Sequence, residues 1–383
     1  MANSSSVSPA RVQVFGVIAY FLGYPLLSME LIINTPINPL SLGQVGYNLL
    51  RECYLRKYNI AWFPVGNTDL SAFKADQQFA NWLQKSADQR YTYLGLDLPC
   101  INNWHLSGSE KLLSNKQVTM TYHETDRATP AEISIANHQY KTFFCGGFSE
   151  TVFRKAGAWN IGSFNLGLDP EIYSTGKKYL EGRIVWNLIG KFENRKFTDR
   201  IIKLWIKKYG SNQKYALNLL VENPFFSPED NQRLLNNSFG GRKPFNVNVL
   251  PRLRTNLEMN EVYNSCDIDL SGLGGESWAL PSFNATCIGK WSVCLNGAGQ
   301  KAWADQDNSI LVQQSGWRPC YDDAFFKQGG DFNQGNFPDV TDDAIVEAFE
   351  RAEQKVGTVN TKGLTLGQTM TYSKTLDQIL SCI

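Results

Sequence analysis

Strands and helices alternate regularly through the second half of this 383-residue chain, and the alternation limits the folds open to it. Short apolar runs typical of strands are separated by segments with helical spacing of apolar residues. The predicted strands are 183–189, 215–221, 246–250, 267–270 and 291–295, and the predicted helices are 197–208, 227–240, 255–265 and 281–288. Such alternation predicts crossover connections and a parallel, doubly wound α/β sheet.

The first half of the chain is less regular but predicts a second α/β unit. Its predicted strands are 31–34, 60–64, 118–122, 143–145 and 160–161, and its predicted helices are 44–57 and 131–138. A chain of this length exceeds one hydrophobic core. We therefore expect an N-terminal domain at 1–175 and a C-terminal domain at 176–340. Residues 341–383 would add a helix and a tail that packs back on the N-terminal domain.

Composition excludes several classes of protein. With 43% hydrophobic and 19% charged residues, the chain is an ordinary globular protein. A net charge of +1 gives no overall electrostatic case for binding nucleic acid. Eight cysteines without a C-x-x-C pair, and only three histidines, argue against a zinc site and predict a reducing, cytoplasmic location. The apolar stretch 12–27 is too short to span a bilayer and predicts a buried strand or interior helix.

One loop combines the features of an anion site. Gly274, Gly275 and Glu276 follow a predicted strand, and Pro281 suits the first position of the next helix. A helix that begins at the carboxyl end of a parallel strand presents free N–H groups and a positive dipole. Glu276 and Asn284 beside such a helix would hold a sugar hydroxyl and a ribose. The alternative is a surface loop in which the Glu forms a cap.

Three further segments are candidates for chemistry. Lys191 and Lys196, five residues apart after a strand, would bracket a diphosphate, although basic turns are also common on surfaces. His123, at a strand end, is equally well interpreted as a sugar ligand, a proton carrier or a structural histidine. Gly43 would permit close approach of the backbone to a ligand, or would serve only as a turn residue.

Motifs of other enzyme classes are missing from the sequence. It contains no G-K-S/T phosphate loop, no G-x-G-x-x-G, no G-x-S-x-G and no H-E-x-x-H. Asp267 and Asp269 resemble a metal-binding pair but fall within a predicted buried strand, so we interpret them as structural. The sequence therefore predicts no metal and no cofactor beyond a co-substrate.

Taken in order, these segments resemble the retaining glycosyltransferases of GT-B fold, family 4 in particular. Gly167-Leu168-Asp169 is similar to the motif that closes the first domain of that family, and 296–299 and 307–312 are similar to its last motifs. The resemblance implies two Rossmann-like doubly wound domains facing across a cleft. It implies a hexosyltransferase that needs no metal, retains the anomeric configuration and uses a nucleotide-diphosphate sugar such as UDP-glucose as donor.

The resemblance also implies a set of site residues. They are His123 and Glu276 as catalytic residues, Lys191, Lys196, Ser277, Trp278, Ala279 and Leu280 for the donor diphosphate, Asn284 for the donor ribose or base, and Ser41, Leu42, Gly43 and Gln44 as the loop between donor and acceptor. Lys191 stands where the family has Arg, so bidentate phosphate binding is lost. Asn284 stands where the family has Glu, so no charge-assisted bond to the ribose is available.

The sequence leaves the acceptor open among a glycan, a lipid-linked glycan, a protein and a modified DNA base. A phage-type transferase that acts on hydroxymethylated bases of DNA is one alternative. A catalytically inactive nucleotide-sugar-binding protein is another. Phosphorylase and epimerase chemistry have no signature among these residues.

Overall fold

The computed structural model describes residues 29–322 and 324–383, so the apolar element predicted at 12–27 lies outside the described residues. The N-terminal domain contains a sheet of six parallel strands in the order β2-β1-β3-β4-β5-β6. The strands are β1 (Glu30–Thr35), β2 (Asn59–Pro64), β3 (Cys100–Asn103), β4 (Gln117–Thr121), β5 (Lys141–Cys145) and β6 (Ile161–Phe164).

Helices connect these strands except β3 and β4, and two of the helices begin at side-chain caps. They are α1 (Ser41–Leu55), α2 (Gln77–Asp88), α3 (Arg90–Tyr93), α4 (Pro130–His138) and α5 (Gly147–Lys155). The Asp76 side chain accepts a hydrogen bond from the Phe79 N–H at the start of α2. Thr129 and Glu132 form a reciprocal capping box at the start of α4, which fixes where that helix begins.

The C-terminal domain repeats the design with six parallel strands in the order β12-β11-β10-β7-β8-β9. The strands are β7 (Ile184–Ile189), β8 (Tyr215–Leu220), β9 (Val247–Val249), β10 (Ile268–Gly272), β11 (Trp291–Asn296) and β12 (Ser309–Gln313). Four helices alternate with the first five strands: α6 (Thr198–Tyr209), α7 (Pro228–Ser238), α8 (Asn256–Ser265) and α9 (Leu280–Cys287). The predicted α/β fold class, with two doubly wound domains, is therefore confirmed.

The rest of the chain returns to the N-terminal domain. An antiparallel hairpin, β13 (Gly316–Pro319) and β14 (Asn336–Asp339), precedes the helices α10 (Asp342–Glu353), α11 (Thr361–Thr369) and α12 (Tyr372–Leu380). Helix α10 packs on α6 and β12, whereas α12 packs on α1 and β6 of the first domain. Between α11 and α12 the chain contacts the segment that connects β6 to β7. There the Leu168 N–H donates to the Met370 carbonyl at 2.9 Å.

Hydrogen bonds join the two domains at two further places. The side-chain amides of Gln44 and Asn256 form a reciprocal pair, with N···O distances of 2.9 and 3.1 Å. The hairpin reaches the N-terminal domain, where the Asn336 N–H donates to Asp126 Oδ1 at 2.7 Å and the Asp126 N–H donates to the Asn336 carbonyl at 3.0 Å. These bonds hold the carboxyl edges of the two sheets close to each other.

Three observations bear on the predictions about redox environment, metal binding and membrane insertion. All eight cysteines lie within the described ranges as free thiols, and seven of them are buried. Within 29–322 and 324–383, no three His, Cys, Asp or Glu side chains are grouped so as to hold a metal ion. No helix in those same ranges has the length and apolar character needed to cross a bilayer. The reducing, cytoplasmic location remains a prediction.

Candidate functional site

A cavity of about 550 Å³ lies between the carboxyl ends of the two sheets. Strand order reverses between β1 and β3 in the first sheet, and between β7 and β10 in the second. In doubly wound sheets, ligands bind at such a switch point because the loops on either side diverge and leave a crevice. The loops that follow all four of these strands line the cavity. The topology alone therefore places this site.

The wall formed by the C-terminal domain centres on Glu276. Its carboxylate accepts from Arg195 Nη1 at 2.9 Å and from Lys196 Nζ. Burial alone would raise the pKa of Glu276, but Arg195 and Lys196 lower the pKa of this carboxyl to about 2. Glu276 is therefore ionised at neutral pH, and its two oxygens already have cationic partners.

Glu193 extends this network of charges. Its Oε2 lies 2.8 Å from Arg195 Nε, and its Oε1 lies 2.8 Å from Lys191 Nζ. Burial opposes ionisation of Glu193, but the neighbouring cations hold its pKa below the usual range. Burial likewise opposes the charge on Arg195, yet Glu276 and Glu193 raise the pKa of this guanidinium above its ordinary value. Each of the three cations thus has a carboxylate partner.

Glycine at position 274 allows the two loops of this wall to meet. A Cβ atom there would lie 2.4 Å from Lys196 Cα and 2.5 Å from the Arg195 carbonyl oxygen, and both of these are backbone atoms. The Gly275 N–H donates to the Arg195 carbonyl at 2.8 Å, and Arg195 Nη1 donates back to the Gly275 carbonyl at 3.0 Å. Gly274 therefore permits the contact between the two loops, whereas a side chain at Gly275 would meet Phe337 of the hairpin.

Helix α9 points its N-terminus into the same wall. No side chain caps it, and its N-cap residue Ala279 has a left-handed backbone with φ of 65°. A positive φ is rare for residues other than Gly and is common at functional sites. In the described part of the chain, the N–H groups of 277–280 donate to no other residue. They are available to an anion, with the helix dipole in its favour.

A buried carboxyl holds α9 against its strand. Asp269 accepts hydrogen bonds from Ser271 Oγ at 2.7 Å and from Ser282 Oγ, and Ser282 belongs to α9. Among the described residues it has no cationic partner. Burial raises the pKa of Asp269 to about 6. The structural role inferred for Asp269 from the sequence agrees with these contacts.

His105 and Trp104, which follow β3, lie on the wall formed by the N-terminal domain. The two rings meet edge to face, with centroids 5.5 Å apart. His105 opens onto the cavity but lies between the domains, and loss of bulk water lowers its pKa. Glu124 acts in the opposite direction, while Lys191 and Arg195 lower the pKa of His105 further. These surroundings favour the neutral form of the His105 imidazole, which can accept a proton.

His123 does not occupy the position predicted for it. Its ring is buried, it is not among the residues that line the cavity, and it packs edge to face on Phe153 with centroids 4.9 Å apart. Its Nε2 lies 2.9 Å from Thr125 Oγ1, and its Nδ1 lies 3.8 Å from Glu132 Oε1. The prediction that His123 contacts the transferred sugar is corrected on this geometry, because a polar pocket behind the wall holds the ring.

The segment predicted as a donor/acceptor loop is the first turn of α1. Ser41, Leu42 and Gln44 line the cavity, whereas Gly43 does not. A Cβ atom at Gly43 would lie 2.3 Å from the Asn38 backbone N and O. Gly43 therefore lets the preceding loop fold over the helix, and its predicted place beside a ligand is corrected.

The other predicted residues lie along the cavity. Lys191, Lys196, Ser277, Ala279 and Leu280 are all on its wall. Trp278 also lines it, but the residue is buried and its indole packs on Phe283 with centroids 5.3 Å apart. Trp278 can therefore offer an anion its backbone N–H. Asn284 lines the cavity too, and its Oδ1 has no partner among the described residues.

Three residues of the site were missed in the sequence as site residues. Arg195 directly precedes Lys196 in the chain, but only its contact with the Glu276 loop shows that it faces inwards. Glu124 follows directly after His123 and lies 3.9 Å from Arg195 Nη1. His105 follows a strand that was not recognised. Recognition of β3 would have placed His105 at the carboxyl edge of the sheet.

Comparison with solved structures identifies similar folds, although no family model and no curated protein sequence matches the chain. Sucrose-phosphate synthase from Thermosynechococcus elongatus superposes with a TM-score of 0.66 at 10% identity, covering 92% of this chain and 98% of that one. HepE from Anabaena, solved in complex with UDP-glucose, gives 0.63 at 12% identity over 92% and 98%. A trehalose-phosphate synthase from Burkholderia xenovorans gives 0.57 at 12% identity over 93% and 98%.

At these identities the likeness concerns the fold. Both domains take part, because the superpositions span almost the whole of each chain. The protein therefore has the two-domain α/β architecture of the GT-B glycosyltransferases.

Proposed function

We propose that this chain is a glycosyltransferase that moves a hexose from a nucleotide-diphosphate sugar to an acceptor hydroxyl. The observation that carries the proposal is the composition of one cavity wall. Lys191, Arg195 and Lys196 meet the uncapped N-terminus of α9 at a switch point of the sheet. Backbone donors and cations together suit a diphosphate, which offers several anionic oxygens to both.

In this proposal the diphosphate contacts Lys191, Arg195, Lys196 and the N–H groups of 277–280. Fixed donors favour the transition state because negative charge on the diphosphate grows as the glycosidic bond breaks. Arg195 adds the fork-shaped guanidinium that a lysine cannot supply at position 191. The cations take the part that a metal ion plays in other phosphate sites, so activity should persist in the presence of EDTA.

Glu276 and Asn284 would bind the remaining parts of the donor. When the diphosphate draws Lys196 and Arg195 towards itself, the Glu276 carboxylate is free to accept hydrogen bonds from sugar hydroxyls. The unpartnered Oδ1 of Asn284 would accept a bond from a ribose hydroxyl. The Anabaena structure with UDP-glucose supports UDP-glucose as the donor to test first.

The transfer step balances without a cofactor. The bond between the anomeric carbon and the diphosphate oxygen breaks, and a bond from that carbon to the acceptor oxygen forms. The acceptor proton leaves with the nucleoside diphosphate, directly or through the neutral His105 imidazole. Retention of configuration, which we include in the proposal, requires attack on the face from which the diphosphate departs.

Turnover of UDP-glucose tests the proposal. The purified chain should release UDP from UDP-glucose, slowly with water and faster with an acceptor, and NMR of the product should show an α-linkage. Lys196→Ala should weaken UDP binding by about tenfold, corresponding to roughly 1.4 kcal/mol. Lys203→Ala is the matched control, since Lys203 pairs with Asp199 on the exposed side of α6. Unchanged UDP affinity in Lys196→Ala would place the diphosphate elsewhere.

A nucleotide-sugar-binding protein without activity is the second candidate, and the pairing of every cation on this wall favours it. Binding of UDP-glucose without release of UDP would support it. Arg242, Lys243, Arg252 and Arg254 are exposed near the edge strand β9, and none of them lines the cavity. Transfer to hydroxymethylated DNA that falls steeply with salt would favour a phage-type transferase that acts on DNA.

A further inference from the structure

The two walls of the cavity differ sharply in charge. All of its described lysine and arginine side chains belong to the C-terminal domain, namely Lys191, Arg195 and Lys196. The N-terminal wall carries two carboxyl groups, Glu124 and Asp169, and a histidine. Outside the described ranges the sequence holds a single cationic side chain, Arg11, and one further acid, Asp323. Among the described residues, the positive charge of the cavity therefore lies on the side assigned to the donor.

Apolar groups form most of the remaining N-terminal wall. Pro39, Leu40 and Leu42 come from the start of α1, Trp104 from the end of β3, and Leu166 from the end of β6. The Trp104 ring stands beside His105, so a flat apolar group against the indole would bring an attached hydroxyl near the imidazole. Burial of apolar ligand surface against such a wall is favourable, whereas burial of a charged group there is unfavourable.

We infer that the acceptor is an uncharged alcohol or phenol with an apolar or aromatic face, and that phosphorylated sugars are poor acceptors. This rests on the proposed function, because it is the donor diphosphate that takes up the cationic wall. An acceptor phosphate would stand near Glu124 and Asp169, and Arg195, whose Nη1 lies 3.9 Å from Glu124, is already paired with Glu193 and Glu276. Removing a doubly charged group from water without a counter-charge is costly.

The inference separates this chain from structural neighbours whose names include a phosphorylated sugar, such as the sucrose-phosphate and trehalose-phosphate synthases. The shared fold therefore need not imply a shared acceptor. Specificity would reside in the loops after β1 and β3, which supply the apolar side chains of this wall.

Equilibrium binding provides a test that does not depend on turnover. Phenyl β-glucoside and glucose 6-phosphate share a sugar ring and differ in carrying an aryl group or a phosphate. Titrated into the full chain with and without saturating UDP, phenyl glucoside should bind about tenfold more tightly or better. Trp104→Ala should remove that preference and leave UDP affinity unchanged. Equal or tighter binding of glucose 6-phosphate, or binding of neither compound, would overturn the inference.

A gain of function provides the complementary test. Ser41 is exposed on this wall, so Ser41→Arg adds a cation without replacing a core residue. Glucose 6-phosphate affinity should rise by about tenfold in Ser41→Arg and stay low in the neutral control Ser41→Gln. An equal response of the two variants would contradict the inference. UDP titration, run in parallel, reports on the proposed function separately, since failure to bind UDP would refute the donor site alone.

Discussion

Arg195 Nη1 and Glu276 Oε2 lie 2.9 Å apart, although the two residues are 81 positions apart in the chain. The bond ties the loop after β7 to the loop after β10, the two strands between which the order of the second sheet reverses. It also keeps a buried carboxylate charged. This one contact therefore both holds the two loops of the candidate site together and stabilises the charge on Glu276.

Glu276→Gln should strongly slow hexose transfer without abolishing UDP binding. Glutamine cannot offer charge-assisted acceptance to sugar hydroxyls, and it releases Arg195 and Lys196 to a diphosphate. We expect kcat to fall by about a hundredfold. Because two buried cations lose a partner, unfolding should cost about 3 kcal/mol less. UDP-release kinetics and urea unfolding measure the two effects, with exposed Glu229→Gln in α7 as the control. Wild-type turnover would remove Glu276 from the site.

His105→Gln and His123→Gln should separate the two histidines. We expect His105→Gln to lower kcat by about a hundredfold, because the cavity loses its neutral proton acceptor. His123→Gln should lower the melting temperature while transfer stays within about threefold of the wild type, since its ring contacts Phe153 and Thr125 behind the wall. The reverse pattern of effects on kcat would restore His123 to the site.

Asp269→Asn should change how stability depends on pH. The pKa of Asp269 is raised from 3.8 to about 6 in the folded protein, so the folded state favours the protonated form. Its contribution to stability is complete below 3.8 and is lost as the pH rises through 6. As the pH rises across this range, the free energy of unfolding of the variant should therefore increase by about 3 kcal/mol relative to that of the wild type.

Urea unfolding at about pH 4 and about pH 7 measures this difference for both proteins. Comparing the two pH values cancels any hydrogen bonds that Asn fails to make with Ser271 and Ser282. A wild-type to variant difference that is the same at both pH values would show that Asp269 does not titrate as described.

Gly274→Ala should weaken UDP binding by displacing the backbone of the cavity wall formed by the C-terminal domain. The new Cβ would meet Lys196 Cα at 2.4 Å, and a backbone atom cannot rotate away as a side chain can. We expect UDP affinity to fall by about tenfold and the melting temperature to drop. Gly147→Ala, at the start of α5, meets nothing within 4 Å and is the matched control. Equal behaviour of the two variants would argue against contact between the loops as the reason for glycine.

The alternation of apolar runs with helical segments predicted the second domain closely, because four of its first five strands, all but the edge strand β9, are almost entirely buried on both faces. The N-terminal domain was harder to predict. Strand β3 ends in Asn102 and Asn103, which are buried, polar and unlike a strand core in sequence. Their side chains are satisfied by Asn34, Thr35 and Thr119, contacts that link residues up to 68 positions apart.

The same difficulty explains the misplaced histidine. Both His105 and His123 follow strands, and periodicity does not show which one faces the cavity. That choice depends on Glu132 and Thr125, which draw His123 into a pocket of its own. The partners of Arg195 and Asn256 are likewise set by long-range packing, so their importance became visible only in three dimensions.

The contact between Leu168 and Met370 has a mechanical consequence. The polypeptide passes between the halves of the molecule twice, and the two passages touch here, where Leu168 bridges Thr371 in parallel and Gly167 has no room for a side chain beside Tyr372. Any rotation of one domain relative to the other must therefore bend both connecting segments at this contact together. A protease that severs one passage would leave the halves tethered by the other, and amide exchange at 167–168 and 370–372 should report the same hinge.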